Sequence, residues 1–114
     1  MAEPGVSERA LLVYTTFPDE AAALAVGETL VRDGLAACMN VIPGMRSVFA
    51  WKGAVERGTE AVAVIKTRSG LREAVGGALR ARHPYETPVI LYVEPDSAEP
   101  ATLAWLLEAT AARG

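Results

Sequence analysis

The segment ARHPYETPVI, residues 81–90, concentrates the chain's least ordinary chemistry. It holds the only histidine, His83, directly before Pro84, with Tyr85 and Glu86 between that proline and Pro88. A neutral imidazole is the commonest metal ligand and titrates near neutrality, so His83 is a candidate ligand or acid–base group. The plainer reading is a helix stop. Pro84 disfavours helical backbone at His83, so a preceding helix ends near Arg82 and the ring lies by the carbonyl end, where positive charge is favoured. Cys38, the only thiol, is the second candidate metal ligand. Its apolar flanks in LAACMN also suit a core filler. Glu86 adds a carboxylate close to His83. No HxH, CxxC or HExxH spacing is present, so a metal site built by one chain would be weak and exchangeable unless symmetry-related copies completed it. A Cys38–His83 nucleophilic pair lacks an evident oxyanion loop, which argues against an enzyme.

Three further side chains have the types expected of a binding cleft. Tyr85, locked between two prolines, has few conformations to lose. Trp51 reads as an interface anchor or a ligand-stacking ring. Lys66, at the end of an apolar run, could bind an anion or sit solvated on a rim. With Glu86, these residues form the candidate ligand-binding cleft.

The elements that must position them follow from periodicity. ALLVYTT (10–16) is a strand-length apolar run. Residues 18–34 carry helix signals: Pro18, Asp19 and Glu20 at the start, apolar Ala23, Val26, Leu30 and Val31 at helical spacing, and Gly34 as a C-terminal cap. A second strand over 35–42 is interrupted by Pro43-Gly44 and resumes over 45–52, with Phe49 and Trp51 on one face and Val48 and Ala50 on the other. Gly53 to Gly58 reads as a turn region. A third strand covers 59–67, with Val62 and Val64 facing opposite to Ala61, Ala63 and Ile65. A helix over 69–82 carries Leu71, Val75, Ala78 and Leu79, and a fourth strand covers 88–95. A last helix over 99–112 buries Leu103, Leu106 and Leu107, with Trp105 packed on the sheet's outer face or against a neighbour.

The order βαββαβ with an extra C-terminal helix predicts an α+β, ferredoxin-like fold with an antiparallel sheet. Residues 1–8 read as a flexible tail and 9–114 as a single domain. Two helices cover one sheet face, yet the strands are apolar on both. Sister chains are therefore expected to hide the rest in an oligomer. With 51% hydrophobic residues in 114, the chain has apolar material for a core and a partner subunit. A formal charge of -3, with eleven basic and fourteen acidic residues interspersed, leaves no footprint for nucleic acid or an anionic membrane. No apolar run reaches membrane-span length, the start lacks a signal-peptide pattern, and a lone cysteine needs no oxidising compartment, so a cytoplasmic location is expected.

FPDEAAALAVGETLVRDGLAACMNVIPG, RSVFAWKGAVERG, AVAVIKT, RHPYETPVI and LAWL, in this order and spacing, resemble the CutA-type divalent-cation tolerance proteins from about Leu11 to Leu107. The resemblance implies a homotrimer of ferredoxin-like subunits, a cytoplasmic role in the response to copper and other divalent cations, and no assigned reaction. It also implies a subunit-boundary cleft at Trp51, Lys66 and Tyr85, which would suit a small-molecule sensor as the alternative function. Members credited with copper binding carry a cysteine where this chain has Thr15, and two histidines where it has Arg82 and His83. Threonine is a poor copper ligand and arginine offers no lone pair. The expected copper site is therefore weak, resting on His83 with Cys38 or Glu86.

Overall fold

The computed structural model describes residues 8–111. Its elements are β1 (Ala10–Phe17), α1 (Glu20–Arg32), β2 (Cys38–Trp51), β3 (Ala54–Arg68), a short 3-10 turn (Ser69–Leu71), α2 (Arg72–Arg82), β4 (Ile90–Val93) and α3 (Pro100–Ala109). The strands form one antiparallel sheet in the order β2-β3-β1-β4. This is the ferredoxin-like arrangement expected from the element order. The sheet continues into a long β2–β3 hairpin, so the molecule measures 51 × 27 × 22 Å.

Local chemistry explains the element ends. Asp19, in extended backbone, caps α1 by accepting the Ala22 N–H at 2.8 Å. Leu30, Val26 and Ala23 of α1 and Val75 and Leu79 of α2 are buried against Leu11, Val13 and Phe17 of β1 and Ala63 and Ile65 of β3. Both helices thus lie on one sheet face.

The third strand begins at Ala54 rather than Thr59, which corrects the turn region expected at 53–58. Trp51 pairs with Ala54, leaving a two-residue loop of Lys52 and Gly53. Both loop residues have positive φ, 50° and 82°, the geometry whose twist suits two flanking strands. Of the segment's two glycines, only Gly53 turns the chain. Gly58 stays in the ladder opposite Ser47, with the Phe49 ring within van der Waals reach of its position.

Pro43-Gly44 is a bulge within β2. The register shifts between the Ile42–Val62 and Met45–Glu60 pairs, and Gly44 takes φ 77°. Proline, which has no N–H to donate, is tolerated because β2 is an edge strand. One extra residue reverses which side chains share a face. Without it, Phe49 and Trp51 would follow Met39 and Val41 onto the helix side. With it, Met45, Ser47, Phe49 and Trp51 line up with Glu60 and Tyr14 on the opposite, helix-free face.

That open face remains apolar in the single chain. Ile42 is 57% and Leu91 55% exposed there, and the back of the hairpin exposes Val48 at 70% and Val55 at 78%. α3 covers only one end. Arg68, on the same face as Lys66, donates to the Thr110 hydroxyl at 3.0 Å and the Thr110 carbonyl at 3.2 Å. Of the leucines expected to be buried on α3, Leu106 is buried, Leu103 and Leu107 are half-buried, and Trp105 is exposed. Residues 1–7 of the expected tail lie outside the described residues. Glu8 is tied down: its carboxylate pairs with Arg68 at 3.1 Å and accepts the Gly70 N–H at 3.0 Å.

Candidate functional site

His83 closes α2. Its backbone turns extended before Pro84 (φ -74°, ψ 136°), and its N–H still donates to the Leu79 carbonyl at 2.8 Å. The ring lies flat on Phe17, with centroids 4.4 Å apart. Nε2 sits 2.8 Å from the Thr16 carbonyl and 3.3 Å from the Thr15 hydroxyl, while Nδ1 lies 3.1 Å from the Tyr85 amide nitrogen. A carbonyl can only accept and an amide N–H can only donate, so the proton belongs on Nε2 and the lone pair on Nδ1. The ring is neutral and both nitrogens are engaged by backbone. Burial holds the imidazole below its ordinary value, outweighing the Thr16 carbonyl and the Glu60 carboxylate, which favour the charged form. His83 is a helix stop that staples the Pro84 turn to β1.

The turn presents Tyr85 outward. Its hydroxyl donates to Glu60 Oε2 at 2.8 Å, and Ser47 donates to Glu60 Oε1 at 2.7 Å. One carboxylate therefore joins β2, β3 and the turn after α2. Partial burial would raise Glu60, but the bonds from Ser47, Tyr85 and Thr16 and the field of His83 outweigh it and pull it below its ordinary value. Tyr85 moves the other way: burial, then the Glu60 carboxylate, push its hydroxyl well above the usual range. Sequence reasoning did not single out Glu60. The signal was present, since Glu60 shares the parity of Val62 and Val64, but a strand starting at residue 59 left it looking like an end residue.

The hairpin and the Pro84 turn enclose a groove of about 970 Å³. Trp51, Tyr85 and Glu86 of the expected cleft all line it, together with Phe49, Glu56 and Glu60. Lys66 does not. It pairs with Leu12 and Cys38 at the far end of the ladder, six residues along β3 from Glu60, about 20 Å at ~3.3 Å per residue. Cys38, a free, partly buried thiol, donates to Asn40 Oδ1 at 3.9 Å. Its level on the sheet is that of Leu12, whereas the His83 ring sits at Thr15 and Thr16, so the two expected metal ligands are not brought together. Among the described residues, no three His, Cys, Asp or Glu side chains are placed to hold a metal ion. Thr15 does lie beside the His83 ring, while Arg82 is exposed.

The family model described as "CutA1 divalent ion tolerance protein" matches residues 11–109. The chain belongs to the CutA1 divalent ion tolerance family. Among its CutA1 relatives, the divalent-cation tolerance protein CutA of Pyrococcus horikoshii is 37% identical over 100 residues, covering 88% of this chain and 97% of that protein. The chloroplastic CutA of Arabidopsis thaliana is 32% identical over 110 residues. It covers 96% of this chain, which spans only 60% of the plant protein. The crystal structure of the CutA1 of Ehrlichia chaffeensis superposes with a TM-score of 0.89 at 29% identity, covering 94% of this chain and 100% of that one. No helix among the described residues is long and apolar enough to cross a membrane.

Proposed function

We propose that the chain is the subunit of a cytoplasmic homotrimer that serves the response to divalent cations without catalysing a reaction. The carrying observation is the open sheet face and hairpin back, where Ile42, Val48, Val55 and Leu91 are exposed beside two unpaired sheet edges, β2 and β4. Such surface on a small domain is stable in water when sister chains cover it. CutA1 membership supports the link to cations.

Direct cation binding is weak on this reading. A copper ion reaching His83 must displace the Tyr85 amide from Nδ1, and among the described residues no cluster of three donors surrounds it. Calorimetric titration with Cu(II) at neutral pH is expected to give micromolar or weaker affinity that is lost in His83→Ala and unchanged in Cys38→Ser. Nanomolar binding, or binding indifferent to His83→Ala, would place the ion elsewhere. The groove favours a second reading, in which the trimer senses a small molecule held by Trp51, Tyr85 and Glu86. A sister chain's Lys66 is the route by which that lysine would reach the cleft.

A further inference from the structure

We infer that the two faces of the β2–β3 hairpin are the two halves of one contact between copies: the back of one chain's hairpin docks on the front of the next chain's. This rests on the homotrimer proposed above and names the surfaces that meet in it. The bulge at Pro43-Gly44 and the pleat sort the hairpin's side chains into two sets. On the back, Val48 pairs with Arg57, Ala50 with Val55, and Arg46 with Thr59. On the front, Phe49 pairs with Glu56 and Met45 with Glu60. The back therefore carries valines flanked by two cations, and the front carries aromatic rings flanked by carboxylates. Glu86 of the Pro84 turn adds a third carboxylate to the front.

Neither set is satisfied within the chain. The ion pairs among the described residues are Arg32–Glu28, Arg68–Glu8 and Arg72–Glu94, which include none of these arginines and glutamates. Val48 and Val55 are exposed on the back, as are Phe49 and Trp51 on the front. Docking back on front covers both apolar centres and sets guanidinium groups against carboxylates, so that opposite potentials meet. Two backs would set arginine against arginine, and two fronts carboxylate against carboxylate, which disfavours a twofold pairing of like faces. Front and back point in opposite directions, so one neighbour cannot take both. Each chain then gives one face to one neighbour and the other face to a second. Contacts of this heterologous kind close into a ring, which suits a threefold assembly.

The test is sedimentation equilibrium of full-length charge-reversed variants. Arg46→Glu with Arg57→Glu reverses the back, and Glu56→Arg with Glu86→Arg reverses the front. All four positions are exposed, so the chain's own interior is untouched, and circular dichroism verifies the fold. Glu60, bonded to Ser47 and Tyr85, is left in place. Each double variant is expected to weaken association at least about a hundredfold, because like charges then face each other. The fourfold variant, whose two reversed faces are complementary again, is expected to recover at least about tenfold of that loss. If a double variant loses the native spectrum, its two single reversals carry the test. Native assembly in either double variant would overturn the inference while leaving the trimer in place, its hairpin faces open to another occupant. Loss in both without recovery in the fourfold variant would overturn it too, since the two faces would then act separately. A monomeric unmodified protein would instead remove the homotrimer itself.

Discussion

Replacing His83 with alanine is expected to destabilise the fold by about 2–4 kcal/mol, a large share of the ~5–15 kcal/mol that holds a typical domain together. The change strands two backbone groups at once, the Thr16 carbonyl that accepts from Nε2 and the Tyr85 N–H that donates to Nδ1. A partly buried backbone group without a partner costs about 1–3 kcal/mol. The same change uncovers Phe17, whose ring is stacked against the imidazole. Denaturant unfolding measures the loss, and a change under about 1 kcal/mol would show that the Pro84 turn does not depend on the staple.

The staple also sets a pH dependence. Burial lowers the imidazole's affinity for protons in the folded state relative to the unfolded chain, whose histidine titrates near 6.5. The unfolded chain then binds the extra proton first as pH falls. His83's contribution is complete above pH ~6.5 and is lost as acidification proceeds through the lowered folded value. Glu60 acts in the same direction at more acid pH, because its carboxylate is also held low and its stabilisation disappears as it protonates. Stability should therefore rise with pH through the histidine range in the native protein. In His83→Ala that slope should flatten, and an unchanged slope would assign the effect to other groups.

The second large effect concerns assembly. Val48→Glu combined with Val55→Glu is expected to abolish association while leaving each chain folded. Both valines are exposed in the single chain, at 70% and 78%, so the substitutions cost its interior little. In an assembly that covers the hairpin, the same carboxylates would be desolvated without partners, at several kcal/mol per ion. The double variant should elute as a monomer with the circular dichroism of the native fold. Elution at the native position would exclude the back of the hairpin from any interface.

Much of this was legible in the sequence because periodicity reports burial directly. Leu11, Val13, Ala63 and Ile65 alternate into one core, and Val75 and Leu79 repeat at helical spacing. The helix end at His83 was legible because Pro84 acts on its neighbour's backbone. The hairpin length was not, because Gly53 and Gly58 both resemble breakers and only positive φ at Lys52 and Gly53 distinguishes the turn. The groove was half legible. Trp51, Tyr85 and Glu86 converge as expected, while Glu60 became visible only once the register placed it opposite Met45 and within reach of Tyr85. Cys38 and His83 share a chemical type but not a level on the sheet, and spacing along the chain carries no information on that separation.

One chain's sheet leaves more apolar surface than its own helices hide, and sedimentation equilibrium of the unmodified protein at micromolar concentration tests this most directly. A homotrimer gives a single species of about three times the 12.0 kDa chain mass, and a stable species at the chain mass itself would contradict it.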